Sequence, residues 1–77
     1  MPTLTEVANQ MRAQFEENKL SETKEEALSR VLLDYERVAD FTEEHKLIVY
    51  LTATSLAVEN GFRFSNVERE LQKLLQT

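Results

Sequence analysis

The chain has 77 residues, with 9 basic and 14 acidic side chains, a formal net charge of −5, no cysteine, one glycine and one proline. These counts exclude disulfides, thiolate metal sites and a cysteine nucleophile. They argue against an all-β fold, whose turns consume glycine, and against binding of nucleic-acid phosphates. At about 9 kDa, one domain can go from roughly 13,000 Å² of exposed surface when unfolded to roughly 4,900 Å² when folded. A core is therefore attainable but marginal, and a second copy is the first candidate for extra stability.

The first element is a helix over 4–19. Leu4, Val7, Ala8, Met11 and Phe15 recur at the spacing of one helix face. Thr3 and Glu6 have the spacing of a capping box, in which the hydroxyl accepts from the third amide and the carboxylate reaches back. The second helix is predicted over 23–40. Thr23 and Glu26 repeat the box, and Leu28, Val31, Leu32, Tyr35, Val38 and Ala39 form its apolar stripe. Residues 21–40 hold six acids and three bases, a net of −3, so most of the chain's negative charge lies here.

The third helix is predicted over 43–60. Asp40 or Thr42 caps its start, and Glu43 and Glu44 suit the positive end of its dipole. Gly61 suits its end, because glycine takes the left-handed conformation without strain. The stretch Leu47–Thr54 is rich in strand-favouring residues, but an unbroken run of this length is too long for one strand. The fourth helix is predicted over 66–76, with Ser65 and Glu68 as its box and Val67, Leu71, Leu74 and Leu75 as its stripe. Short links favour antiparallel neighbours, so the expected fold is all-α, a small up-down four-helix bundle in a single domain covering 1–77.

Helix three carries no charge from Leu47 to Val58. At 100° per residue, Leu47, Leu51 and Val58 fall on one side; Val49, Ala53 and Leu56 fall nearly opposite, with Tyr50 and Ala57 beside them. Such a helix is buried on two sides. Either it lies at the centre of the bundle, or a second stripe, assigned to Val49, Ala53 and Leu56, meets a second copy in a homodimer.

Catalytic chemistry finds little support. His45 is the only histidine, and its neighbours Glu43, Glu44 and Lys46 suggest a solvated first turn. No serine lies in a nucleophile elbow. The adjacent carboxylates, such as Glu25 with Glu26 or Asp34 with Glu36, do not share a helix face. One glycine cannot build a phosphate loop. No enzymatic activity, metal or cofactor is expected. No apolar run is long enough to span a bilayer and the N-terminal residues lack a signal-peptide pattern, so the expected location is cytoplasmic.

Two further features bear on function. Ala57, Gly61 and Val67 partly match the spacing of a helix-turn-helix, but Glu68 and Glu70 on its second helix face phosphates unfavourably. The corner Phe62-Arg63-Phe64 is either an exposed anchor for another protein or a pair of rings folded over the bundle end.

Two stretches resemble parts of known families. Phe41-Thr42-Glu43-Glu44, the apolar run after it and Gly61-Phe62 resemble the last helix of pediocin-like bacteriocin immunity proteins, which implies a small helical bundle that blocks a toxin. Those proteins are usually basic and end in a tail, whereas this chain is acidic and has another helix. The run Leu56–Ser65 is similar to the end of nitrogen-fixation-associated leader-peptide domains, which implies a recognition domain ahead of a modified peptide.

The reading that follows is an acidic, non-enzymatic helical protein that binds another protein, as an inhibitor, immunity factor, adaptor or small regulator. Its candidate contacts are Glu25, Glu26, Asp34 and Glu36 with Phe62, Arg63 and Phe64. The alternatives are a helix-turn-helix-like regulator and a leader-peptide-like domain.

Overall fold

The first three helices each begin where a threonine supplies a cap. In the computed structural model, which describes residues 3–38, 41–63 and 68–76 without the side chain of Glu70, the helices are α1 (Leu4–Asn18), α2 (Lys24–Glu36), α3 (Glu43–Asn60) and α4 (Glu68–Gln76). No strand occurs among the described residues. The fold is all-α, a small helical bundle. The Leu47–Thr54 stretch is helical, because the helix penalty of β-branched residues is only tenths of a kcal/mol each and packing outweighs it.

The caps differ in detail from the expected boxes. Thr3 Oγ1 accepts the Glu6 amide at 3.2 Å. Thr23 Oγ1 accepts the Glu26 amide at 3.2 Å and donates to the Glu26 carboxylate at 3.0 Å. The reciprocal box forms at α3 instead, with a histidine in the place of the usual acid. Thr42 Oγ1 accepts the His45 amide at 3.1 Å, and the Thr42 amide donates to His45 Nδ1 at 3.3 Å. The Ser65 cap expected for α4 lies outside the described residues, as do residues 66 and 67 of that predicted helix.

Helix α2 stops four residues short of the predicted end. Arg37 caps it and Val38 is exposed outside it, so Val38 does not belong to the buried stripe; Ala39 lies outside the described residues. The Tyr35 and Phe41 rings sit 5.4 Å apart. A helix continuing through these six residues would carry Phe41 about 9 Å along the axis from Tyr35. The chain must turn between them for the rings to meet.

Three contacts define the path. Arg12 pairs with Glu59, and Phe15 stacks on Phe62. Both steps run in the same sense, so α1 and α3 point the same way. Lys24 Nζ donates to the Asn60 carbonyl at 3.1 Å, so α2 starts where α3 ends. These contacts fit an up-down path. The closest packing joins α1 to α3 and α2 to both α1 and α4.

The core consists of Val7, Met11 and Phe15 from α1, Ala27, Leu28, Val31, Leu32 and Tyr35 from α2, Val49, Ala53 and Leu56 from α3, and Leu71 and Leu74 from α4. The folded chain exposes 4906 Å² and has a radius of gyration of 11.4 Å. Scaling laws give roughly 4,900 Å² and roughly 11.5 Å for a compact single chain of this size. The core therefore closes within one copy. Val49, Ala53 and Leu56 are 0%, 0% and 2% exposed, which corrects their assignment to self-association: no second copy can reach them in the folded chain.

Candidate functional site

The lone histidine is structural. His45 is only 7% exposed, not solvated as its charged neighbours suggest. Its ring closes the α3 cap and stacks on Phe41 with centroids 5.1 Å apart. Lys46 is also buried, with its amine 3.5 Å from Glu43 at the surface. Among the described residues no three His, Asp or Glu side chains gather as a metal site.

The acidic surface of α2 is less free than its charge count implies. Glu22 binds Arg30 through both carboxylate oxygens, and these hydrogen bonds and the Glu22 charge hold the guanidinium above its ordinary pKa. Glu26 is engaged by the Thr23 cap, and one Glu36 oxygen is buried without a partner among the described residues. Glu25 and Glu26 flank an open groove of ≈ 430 Å³ that also includes Leu33. Asp34 and Glu36 do not line this groove. The four predicted carboxylates thus lie along α2 without forming one site.

The corner after α3 resolves in favour of packing. Gly61 has φ 69° and ψ 33°, the left-handed conformation expected of it. The Phe62 amide donates to the Ala57 carbonyl at 3.1 Å and the Gly61 amide to Val58 at 3.3 Å, which completes a Schellman motif. Phe62 turns back onto the core, its ring stacked with Phe15 at 6.3 Å. It is a staple and not a free anchor. Arg63 is exposed, and Phe64 lies outside the described residues.

A row of exposed apolar residues lies on the outer face of α3, apart from single exposed ones such as Leu20 and Leu33 elsewhere. Leu47, Leu51 and Val58 are 57%, 50% and 76% exposed, and Tyr50 and Leu75 flank the stripe. An open groove of ≈ 370 Å³ runs between α3 and the end of α4, lined by Glu43, Lys46, Leu47, Tyr50 and Leu75. Sequence reasoning found both stripes of α3 and assigned the wrong one to contact. The available signal was size: the inward stripe carries Ala53 and Ala57, which suit the bulky Met11 and Phe15 of α1, and large residues pack best opposite small ones.

The chain matches no protein-family model, no curated protein and no solved structure, so neither family resemblance gains support from a match. Among the described residues no helix is long and apolar enough to cross a membrane.

Proposed function

We propose that the chain is a non-enzymatic binding protein whose contact surface is the outer face of α3 with the groove beside α4. One observation carries this reading. Leu47, Leu51 and Val58 stand in solvent on one helix face, although the core is already closed without them. Apolar side chains scattered singly need no explanation, but a contiguous patch beside a groove marks a contact surface. The remaining negative charge on α2, chiefly Glu25 and Asp34, would speed the approach of a basic partner more than it tightens binding. The mode of action is occlusion or scaffolding, as in an inhibitor, adaptor or small regulator. The absence of an enzymatic role is part of the same proposal: the only histidine serves a helix cap, and the carboxylates of α2 are dispersed.

The test is paired substitution with purified protein against partners captured from the source cells. Leu51→Lys should abolish capture while leaving the helical circular dichroism unchanged. Reversing Glu25 and Asp34 to lysine should slow association and weaken its salt dependence. Capture unaffected by Leu51→Lys removes the α3 face from the account.

A further inference from the structure

We infer that the outer face of α3 is a two-fold antiparallel seam, and that its occupant is a second copy of this chain. This rests on the reading of that face as a protein-binding surface and names its occupant; the second copy is itself acidic, so the α2 charge plays no part in its recognition.

The first argument is register. Leu47, Leu51, Thr54 and Val58 are separated by four, three and four residues, the alternation of a heptad seam. The pattern is symmetric about the point between Thr52 and Ala53. Two copies related by a two-fold axis there place Leu47 opposite Val58 of the second copy and Leu51 opposite Thr54, with each contact made twice. An isologous interface requires a spacing that reads the same in both directions, and this stripe meets that requirement. Thr54 is no obstacle, because its hydroxyl already donates to the Tyr50 carbonyl at 3.0 Å.

Shape and charge agree with this register. Val58, the most exposed residue of the stripe, faces Leu47 of the other copy and the groove lined by Leu47, Tyr50 and Leu75 with the Glu43–Lys46 ion pair at its edge. A protruding side chain thus meets a recess twice. The same pairing places exposed Glu44 opposite Gly61 of the second copy, two residues before exposed Arg63. No charge lies between Leu47 and Val58 to oppose the approach. The antiparallel arrangement also sets the positive end of each α3 dipole beside the negative end of the other.

Area sets the strength. The exposed parts of Leu47, Tyr50, Leu51, Val58 and Leu75 amount to on the order of 500 Å² per copy, so about 1,000 Å² for the pair, at the lower edge of specific interfaces. An interface of that size suits a weak, reversible dimer.

Sedimentation equilibrium should show the mass rising from 9.0 kDa toward twice that value as concentration goes from roughly 10 µM to roughly 1 mM. Leu51→Lys should raise the dissociation constant at least tenfold, while Leu33→Lys on α2 leaves it unchanged. The chain has no cysteine, so introduced thiols report the register. Leu47→Cys mixed with Val58→Cys should form a disulfide between the two variants. Leu47→Cys alone should not, because two copies of position 47 lie about 16 Å apart along the seam, beyond the reach of a disulfide. A monomer at 1 mM, or preferential linkage of position 47 to itself, overturns the inference. A monomer whose Leu51→Lys variant still loses a captured partner overturns the second copy and leaves the binding face standing. A monomer whose Leu51→Lys variant loses nothing overturns both.

Discussion

Phe62 separates a staple from an anchor, and truncating it gives a number to check. Phe62→Ala removes a ring that is packed on the core and stacked on Phe15 at 6.3 Å. Complete truncation of a fully buried phenylalanine costs about 3–5 kcal/mol. Phe62 is only partly buried, so its share is about 2 kcal/mol, and the aromatic pair adds about 0.5–1 kcal/mol. The total, about 2–3 kcal/mol, stands against roughly 4–12 kcal/mol of stability for a chain this size. At about 4–8 °C per kcal/mol the melting temperature should fall by roughly 10–20 °C. Thermal unfolding followed by circular dichroism at 222 nm measures it. Phe62→Leu should recover most of the loss, because the apolar contact returns without the ring pair. Arg63→Ala, at the exposed neighbour, should stay within about 3 °C. A Phe62→Ala drop as small as that of Arg63→Ala would refute the staple and restore Phe62 as an exposed anchor.

Other substitutions test separate parts of the fold by the same melts. Gly61→Ala should cost about 1 kcal/mol from backbone strain alone, since a Cβ there meets nothing within 4 Å, and Gly61→Asn should cost less. Thr42→Ala and His45→Ala should each cost about 1 kcal/mol, and the double variant should cost less than their sum, because the two residues close one cap. Tyr35→Phe should be neutral or stabilising by up to about 1 kcal/mol, since the hydroxyl is buried with no partner among the described residues. Burial, and secondarily the charge of Asp34, raises the Tyr35 pKa. The folded chain thus keeps a proton that the unfolded chain releases, so the Tyr35 contribution is intact below the ordinary tyrosine range and declines as pH rises through the folded value. Tyr35→Phe should flatten that alkaline decline, and an unchanged slope in denaturant titrations across the range would refute it. Val49→Lys should unfold the chain at 37 °C, whereas Leu51→Lys should change its stability by less than about 0.5 kcal/mol.

Where the sequence was legible, a local cause lay close along the chain. Thr3, Thr23 and Thr42 announce the starts of α1 to α3 because a cap is made between residues three apart. Gly61 announces the end of α3 because its conformation is set by its own backbone. The end of α2 was not legible, because it is imposed by the Tyr35–Phe41 contact across a turn, and apolar Val38 continues the stripe by chance of spacing. His45 was misread for a related reason. Its neighbours Glu43 and Glu44 are charged and exposed, yet at the third helical position its ring can reach back to the Thr42 amide and lie under Phe41. The acidic face was overcounted because Arg30 and Glu22 are eight residues apart, with the turn into α2 between them.

The two faces of α3 show what periodicity can and cannot decide. A 3.6-residue repeat identifies an apolar stripe but does not say what covers it. Covering is a property of the other helices, and here α1 brings Met11 and Phe15 to a surface of Val49, Ala53 and Leu56. Small residues on that side let the helices approach, while Leu47 and Leu51 on the other side would hold them apart. With the smaller stripe inside, the larger one is left in solvent, and the core is complete without it. Folding therefore gives no reason for Leu47, Leu51 and Val58 to be apolar, since lysine or glutamate would serve an exposed helix face as well and keep the chain more soluble. The proposed contact surface would supply that reason. The symmetric spacing of the stripe, the groove beside Leu47 and the charge-free stretch between Lys46 and Glu59 are the features that fit the proposed seam, the same helix turned end for end.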